Sequence, residues 1–332
     1  MKKIIITLAV LLQLGAASQL KAQIDPHFSQ YYAYPLWLNP ALTGVFNGDT
    51  RINANFKSQW ASIGNAYKTG AISADFRPTE RVGVGINIVN QAAGSAGYNY
   101  FAAYGSFGYN IAVSEDGNKK VNFGVQAGII NRSFDMNKLQ LGSQYDPSTG
   151  YNPNMPNFEN FASSSATVFD ASAGVFYYDG DPSSTANFFG GVSVAHLTRS
   201  KDPFAVEGIN SKLPLRYNVH AGIRIKAGES FDLIPHAIYV RQNKSEIKAF
   251  GGYTEIKMQN DNGLILGAMY RVNDAAVANV GYHVNSLIIG ASYDFNTSAL
   301  NTATNSRGGI ELSLSYVFRK RIQGPEPVCP RL

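Results

Sequence analysis

The chain is organised by an alternation of apolar and polar residues with a period of two. The clearest copy, near the C-terminus, sets Ile310, Leu312, Leu314, Tyr316 and Phe318 against Glu311, Ser313 and Ser315. Successive side chains of a β-strand point to opposite faces, so such a strand has one apolar and one polar face. Weaker copies recur along most of the chain, which is typical of a membrane-spanning β-barrel with lipid outside and polar groups inside.

About 14 segments carry this pattern, and most are near the roughly 9 to 11 residues that a tilted strand needs to cross a bilayer. They lie near residues 50–58, 67–76, 81–90, 98–110, 120–131, 167–178, 187–197, 216–226, 231–241, 245–257, 263–271, 275–283, 287–296 and 308–318. No segment carries a sustained 3.6-residue apolar period. The sequence therefore predicts an all-β fold, a transmembrane antiparallel β-barrel of about 14 strands with a plug-like N-terminal segment.

Charge placement separates this barrel from a water-soluble β-sandwich, which would also alternate. A cation on the lipid face at mid-membrane costs roughly 2 to 4 kcal/mol. Charged residues that fall opposite the apolar row in the predicted register are Arg51, Lys57, Arg216, Arg224, Glu246, Lys248, Asp294 and Glu311. Glu255 and Lys257 fall out of phase near the end of their strand. Because most of these charges fall on the polar face, their placement favours a membrane barrel over a soluble β-sandwich.

Strand ends and connections add to this prediction. Aromatic residues that close strands, as an interfacial girdle requires, are Phe76, Tyr109, Tyr177, Tyr178, Tyr270, Tyr282, Tyr293, Phe295, Tyr316 and Phe318. The longest connections, 132–166 and 198–215, are both odd-numbered in chain order, and the even-numbered ones are shorter. Outer-membrane barrels have short periplasmic turns and longer outer loops, so both termini are predicted to be periplasmic.

The first 22 residues have the features of a cleaved signal peptide. Lys2 and Lys3 precede an apolar run of about a dozen residues, too short for a spanning helix, and small residues lead to a predicted cut after Ala22. The predicted divisions are a signal peptide at 1–22, a periplasmic or plug segment at 23–48, the barrel at 49–318 and a periplasmic tail at 319–332.

Charge and cysteine content narrow the function classes. The whole chain carries a net charge of +5, but removal of the leader leaves 25 basic and 23 acidic residues, a net charge of +2. The basic pI therefore gives no reason to expect nucleic acid as a partner. Cys329 is the only cysteine, so the fold contains no intramolecular disulfide.

Two regions are candidates for protein contacts. Residues 25–44 are rich in Tyr and Pro, in a pattern too irregular for a spanning strand. We expect this segment to cork the periplasmic mouth of the barrel or to dock a periplasmic partner, and the residues singled out are Phe28, Tyr31, Tyr32, Trp37, Asn39 and Pro40.

The connection at 132–166 is the second candidate, because so long a loop is uncommon unless it is functional or disordered. Its aromatic residues Tyr145, Tyr151, Phe158 and Phe161 suit a partner-binding surface, although a lid packed on its own barrel fits equally well. A weaker patch at 198–215 contains Phe204 and Leu213.

Catalytic chemistry finds little support in the sequence. The histidines His27, His196, His220, His236 and His283 are scattered, and none has the spacing of a metal-ligand pair. No paired nucleophile and base is evident either. We predict no catalytic residue, cofactor or metal, and a protein that is not an enzyme.

Two separated motifs resemble one known family. The N-terminal motif runs from Asp25 to Tyr32 and from Leu38 to Gly44, and the C-terminal motif covers 291–298 and 308–316. Both are similar to the PorP/SprF family of Bacteroidetes outer-membrane proteins, with a similarity that weakens between 132 and 215.

The resemblance implies a component of the type IX secretion system, which exports proteins through the outer membrane and drives gliding motility in many relatives. Its partners would be cargo proteins or adhesins with a C-terminal sorting domain, which it helps to secrete or anchor at the cell surface, and periplasmic ring components. The residues themselves leave two alternatives open: a diffusion channel or substrate-specific transporter, and, more remotely, a membrane-embedded hydrolase.

Overall fold

The computed structural model describes residues 25–319 apart from 63, 65, 95, 141, 147, 153, 156–162, 202–211 and 260–261. Within these residues the chain forms a closed antiparallel barrel of 14 strands, each paired with its sequence neighbours and the first paired with the last. No helix in the described ranges has the length and hydropathy needed to span a membrane. The predicted signal peptide, Cys329 and the tail beyond residue 319 lie outside the described residues.

The strands follow the predicted order. Their bounds are β1 Thr50–Gln59, β2 Tyr67–Phe76, β3 Val82–Ala93, β4 Tyr98–Ala112, β5 Lys119–Ser133, β6 Tyr145–Asp146, β7 Gly150–Tyr151, β8 Ser165–Asp179, β9 Ala186–Ala195, β10 Arg216–Lys226, β11 Phe231–Gln242, β12 Ser245–Lys257, β13 Asn262–Arg271, β14 Ala275–Val284, β15 Leu287–Asn296 and β16 Arg307–Phe318. Strands β6 and β7 form a small hairpin within a loop, and the others build the barrel. Each of the 14 predicted segments coincides with a barrel strand, so the predicted fold is confirmed.

Short helical elements complete the secondary structure. Helix α1 spans Pro35–Leu38, helix α2 spans Asn301–Thr304, and 3-10 turns cover Tyr31–Ala33, Pro40–Leu42, Met136–Lys138 and Gly142–Gln144. Proline begins both α1 and the second of these turns, at a position where its missing N–H costs no hydrogen bond.

The barrel is apolar outside and polar inside, as the alternation predicted. In β10 the outward Tyr217 and Val219 are each 45% exposed, whereas the inward Asn218 and His220 are each 2% exposed. The same contrast runs through β16, where Leu312 and Leu314 face outward and Glu311 faces inward. A lipid-facing apolar surface around a polar interior is the arrangement of a membrane barrel.

The predicted register of β12 was wrong. Glu246 and Lys248 lie on the outward face with Phe250, and Glu255 lies on the inward face, where its carboxylate is 3.3 Å from the imidazole of His283. Apolar residues occupy both faces of this strand, because its inner face packs against other apolar groups inside the barrel, as Ile247 does. Alternation alone therefore did not determine which face meets lipid.

One member of the predicted aromatic girdle was also assigned to the wrong face. Tyr178 is 6% exposed and stacks on the inward Phe176, with the ring centroids 5.9 Å apart. Adjacent residues of a strand point to opposite faces, so Tyr177 and Tyr178 cannot both face lipid.

The two ends of the barrel differ in their connections. One end, called here the long-loop end, carries the connections 60–66, 94–97, 134–164, 196–215, 243–244, 272–274 and 297–306. The other, the short-turn end, carries 77–81, 113–118, 180–185, 227–230, 258–261 and 285–286, together with the start of β1 and the end of β16. This asymmetry is the one that outer-membrane barrels show.

Residues 25–48, called here the N-terminal segment, run through the lumen. The segment enters at the short-turn end, where Gly44 lies against Gly83, and reaches the long-loop end, where Asp25 contacts His196. The sequence predicted that this segment corks the mouth of the barrel. In the structure the segment fills the interior of the barrel along most of its height instead. Its fully buried residues include Tyr34, Leu36, Asn39, Ala41 and Leu42.

Candidate functional site

Asn39 fixes the middle of the N-terminal segment to the barrel wall. Its side-chain oxygen accepts a hydrogen bond of 2.9 Å from the backbone N–H of Ala41 and so caps the 3-10 turn that follows. Its amide nitrogen donates to the carbonyl oxygens of Val175 at 3.2 Å and Val192 at 3.3 Å, and contacts Nε2 of His220 at 3.4 Å. One buried amide therefore joins the segment to β8, β9 and β10.

Glycines on the inner wall make this close approach possible. A Cβ atom at Gly174 would overlap the Asn39 amide, and one at Gly124 would overlap the peptide between Pro40 and Ala41. At Gly191 a Cβ atom would come within 2.7 Å of the Asn39 amide nitrogen. The wall of β5, β8 and β9 is therefore shaped to the backbone of the segment.

A buried ion pair holds the segment near the short-turn end. Arg51 and Asp75, opposite each other on β1 and β2, form two hydrogen bonds of 3.0 and 2.9 Å. Arg51 also donates to the carbonyl oxygens of Leu42 and Val45, and Asp75 accepts the backbone N–H of Gly44 at 2.8 Å. The bidentate pair is thus bonded to three backbone groups of the segment.

A second ionic cluster holds the segment nearer the long-loop end. The Lys57 ammonium lies 3.4 Å from Asp294 and 3.9 Å from Glu311, and Arg271 pairs with Asp294 at 2.9 Å. Ser29 joins this cluster, because its backbone N–H donates to Glu311 at 2.6 Å and its hydroxyl donates to Asp294 at 2.7 Å. All five residues are buried, and removal of one partner would leave an unpaired buried charge.

His196, at the end of β9, forms a third link. Its ring nitrogens contact Asp25 at 2.8 Å and Asp170 at 3.0 Å, and Arg216 lies 3.4 Å from Asp25. Burial disfavours the imidazolium, but the two carboxylates overcome it and raise the pKa of His196 to about 10. Burial alone would raise the pKa of Asp25, yet the charges of His196 and Arg216 hold it well below its usual range. We infer that His196 is cationic at neutral pH.

The aromatic residues of the segment pack against the wall rather than projecting into solvent. The Tyr31 hydroxyl lies within hydrogen-bond distance of Nδ1 of His236, at 2.5 Å, and the Tyr32 ring lies 5.4 Å from that of Tyr253. Phe28 packs on Tyr34 within the segment, with ring centroids 5.4 Å apart. Trp37 is partly buried, and its indole N–H donates to the carbonyl oxygen of Pro26 at 3.0 Å.

Above the segment a vestibule opens at the long-loop end. It is a cavity of about 460 Å³, with Asp25 and His27 among the groups that line its floor. Trp60 and Tyr67, packed edge to face with ring centroids 5.2 Å apart, also line it, as do Asp274 and the first residues of β12, including Glu246 and Lys248. Two cavities between the segment and the wall are far smaller, about 30 and 60 Å³.

The connection between β5 and β8 has more local structure than expected. Two 3-10 turns precede the β6–β7 hairpin, in which Tyr145 is paired with Tyr151. Tyr145 is 62% exposed, and Tyr151 is half-buried. Phe158 and Phe161 lie outside the described residues.

The weaker patch predicted at 198–215 is only partly described. Phe204 lies outside the described residues. Leu213 is 2% exposed and packs on inward residues of β4 and β5, including Tyr100 and Ile130. Leu213 is therefore not available as an exposed contact.

The ionic clusters were missed in the sequence, although a signal for them exists. Arg51 pairs across strands with Asp75, and Lys57 is directly opposite Glu311 on β16. Opposite charges at the same height on neighbouring inward rows indicate interior ion pairs once the register is known. Their contacts with the N-terminal segment have no such pattern, since the segment is not a strand.

The fold and its filled interior define a class: an outer-membrane β-barrel with its lumen occupied by its own N-terminal segment. Residues 20–316 match the family described as type IX secretion system membrane protein PorP/SprF. The chain belongs to this family. Among curated proteins, no match was found.

Solved structures share the barrel fold at low sequence identity. The toluene transporter TbuX of Ralstonia pickettii is 11% identical with a TM-score of 0.51, over 86% of this chain and 93% of that one. The monoaromatic hydrocarbon channel CymD is 10% identical with a TM-score of 0.50, over 87% and 93%. The toluene transporter TodX of Pseudomonas putida is 11% identical with a TM-score of 0.50, over 88% and 94%. At such identities the likeness concerns the fold alone.

Proposed function

We propose that this protein is a non-enzymatic outer-membrane component of the type IX secretion system. It assists the secretion or surface anchoring of cargo proteins that carry a C-terminal sorting domain, including gliding-motility adhesins. Family membership supports the secretion role. The observation that carries the binding role is the lumen filled by the N-terminal segment, because a barrel whose interior is occupied acts through its surfaces.

The long-loop end is the surface proposed to meet cargo. It combines the vestibule with the exposed Tyr145 of the β6–β7 hairpin. A concave site beside a projecting aromatic residue suits recognition of a polypeptide, since aromatic anchors carry much of the energy of protein interfaces. In this proposal the long-loop end is extracellular and both termini are periplasmic.

Copurification from detergent-solubilised membranes tests the proposal. The intact barrel is expected to retain a cargo C-terminal domain or a periplasmic ring component in stoichiometric amount. Replacement of residues 145–161 by a Gly/Ser linker should abolish capture of the cargo domain, whereas the same replacement at 113–118, at the short-turn end, should not. Recovery of the protein as a lone barrel from cells that secrete cargo would contradict the proposal.

The second candidate is a substrate-specific transporter or diffusion channel, favoured by the vestibule of about 460 Å³. It requires the N-terminal segment to move, since two of the cavities beside the segment measure only about 30 and 60 Å³. Planar-bilayer recordings separate the two candidates. A large steady conductance of the purified barrel would favour transport, and its absence would favour the binding role.

A further inference from the structure

The outward face of the barrel carries few charges, and they are unevenly distributed. Those on barrel strands are Lys68, Lys119, Asp179, Arg241, Glu246, Lys248 and Arg307. Lys119 and Asp179 are opposite each other near the short-turn end, while Lys68 and Arg307 stand singly on strands separated by β1. The remaining three gather on the β11–β12 hairpin, with Lys244 in its turn.

The hairpin brings these groups close together. Arg241 is directly opposite Glu246, and Lys248 is directly opposite Tyr239. The Lys248 ammonium is 3.1 Å from the Glu246 carboxylate and 6.0 Å from the centre of the Tyr239 ring. Side chains opposite each other on one face have Cβ atoms roughly 5 Å apart. The charged side chains of the hairpin therefore cover an area about as wide as one lipid headgroup. Three cations and one carboxylate leave an excess of positive charge.

The charged group lies just beyond the apolar band. On the same outward face Phe250 is 57% exposed and Tyr270 is 40% exposed, with their rings packed edge to face at 5.9 Å. Tyr and Trp rings mark the boundary between hydrocarbon and headgroups in membrane proteins. The cations of the hairpin lie on the far side of this boundary from the apolar band, at the level of the lipid headgroups. Their long side chains extend along the barrel surface to reach that level.

The turn of this hairpin is short. Asn243 and Lys244 alone connect β11 to β12, with Asn243 in the left-handed conformation at φ 54°. No long loop of the same hairpin overhangs the cations. A lipid beside the barrel therefore reaches them with its headgroup while its acyl chains lie on Phe250 and Tyr270.

We propose that Arg241, Lys244 and Lys248 form a binding site for the phosphate of a phosphorylated glycolipid in the outer leaflet. The guanidinium offers paired N–H donors to phosphate oxygens, and the two ammonium groups supply compact positive charge. Glu246 and Lys248 border the vestibule, but their side chains lie on the outward face of β12, where the headgroup of a lipid beside the barrel reaches them. The choice of the outer leaflet rests on the orientation given under the proposed function, with the long-loop end outside.

Titration of the purified, folded barrel with diphosphorylated lipid A in neutral detergent micelles tests the site. The R241Q/K244Q/K248Q variant should bind lipid A at least about tenfold more weakly, since each cation near an anionic headgroup contributes on the order of a fivefold factor. The control variant K68Q/K119Q/K138Q, which also loses three cations, should bind like the parent protein. Binding should weaken as salt concentration rises.

Three results would overturn the assignment: equal losses in the two variants, retained binding in R241Q/K244Q/K248Q, or equal affinity for phosphatidylglycerol and lipid A. Resistance of the unboiled barrel to unfolding in gel electrophoresis checks that both variants are folded. A Lys244→Cys variant in a Cys329→Ser background, labelled on intact cells with a membrane-impermeant maleimide, tests the orientation separately. Cargo takes no part in either experiment, so a failure here is distinct from a failure of the proposed secretion role.

Discussion

Replacement of Asn39 by alanine tests whether the N-terminal segment is an integral part of the barrel. The substitution removes the cap of the 3-10 turn, worth about 1 kcal/mol. It also removes the donor that serves the Val175 and Val192 carbonyl groups, at about 1 kcal/mol for each buried hydrogen bond. We expect the free energy of unfolding to fall by about 3 kcal/mol.

Asn39→Asp separates these contributions. A carboxylate still accepts the hydrogen bond from Ala41, so the cap persists, but an acceptor now faces the carbonyl oxygens of Val175 and Val192. An unpaired buried charge is strongly unfavourable. The Asp variant should therefore be at least as unstable as the Ala variant at neutral pH.

Asn131→Ala is the matched control. Asn131 lies on the exposed side of β5, where its amide donates to the Thr167 hydroxyl at 2.8 Å, and such surface changes are usually within about 0.5 kcal/mol. Urea unfolding of the barrel in lipid vesicles gives the free energies, and limited proteolysis reports exposure of the segment. If Asn39→Ala is no less stable than Asn131→Ala, and the segment stays protected, the clamp described for Asn39 is wrong.

The remaining predictions use the same unfolding assay or cargo capture. Gly124→Ala should lose about 1 to 3 kcal/mol, because its Cβ would overlap the carbonyl group of Pro40, whereas Gly105→Ala has open space and should lose little. Burial opposes the charge on His196, but two carboxylates raise its pKa to about 10, above the unfolded value near 6.5. Its stabilising effect should be complete below about pH 6.5 and lost as the pH rises toward about 10, and His196→Gln should remove this pH dependence. Tyr145→Ser should weaken cargo capture at unchanged stability, since the ring is largely exposed; unaffected capture would exclude this residue from the interface.

The fold was predictable because lipid imposes a strict rule on every outward position. Backbone groups must be paired within the sheet and outward side chains must be apolar, so the strands of a barrel repeat one pattern. The clearest prediction was β10, whose inward row contains Arg216, Asn218 and His220 and whose outward row is apolar. Strand bounds differ from the prediction by only a few residues, mainly where strands extend further, as at β4 and β5.

The error in β12 shows where the alternation of apolar outward and polar inward residues fails to predict the register. Ile247, Ala249 and Tyr253 face inward and pack within the apolar core that the N-terminal segment completes. An inner face that meets protein instead of water no longer has to be polar. The sequence of β12 is then apolar on both sides, and the charges Glu246 and Lys248 near its long-loop end shifted the predicted register by one residue.

The inner wall and the N-terminal segment form a single packed unit. A water-filled lumen would tolerate a side chain at any inward position, but at Gly124, Gly174 and Gly191 the segment leaves no room for a Cβ atom. The buried charges of the wall support the same conclusion. Arg51 and Glu311 each form hydrogen bonds with backbone groups of the segment and also pair with charged partners on the strands. Withdrawal of the segment would break these bonds and expose to water the apolar wall groups that it buries, such as Ile234 and Met269. Movement of cargo or solutes through this lumen would therefore need a partner that replaces those bonds, and this requirement favours a barrel that acts through its rim and loops.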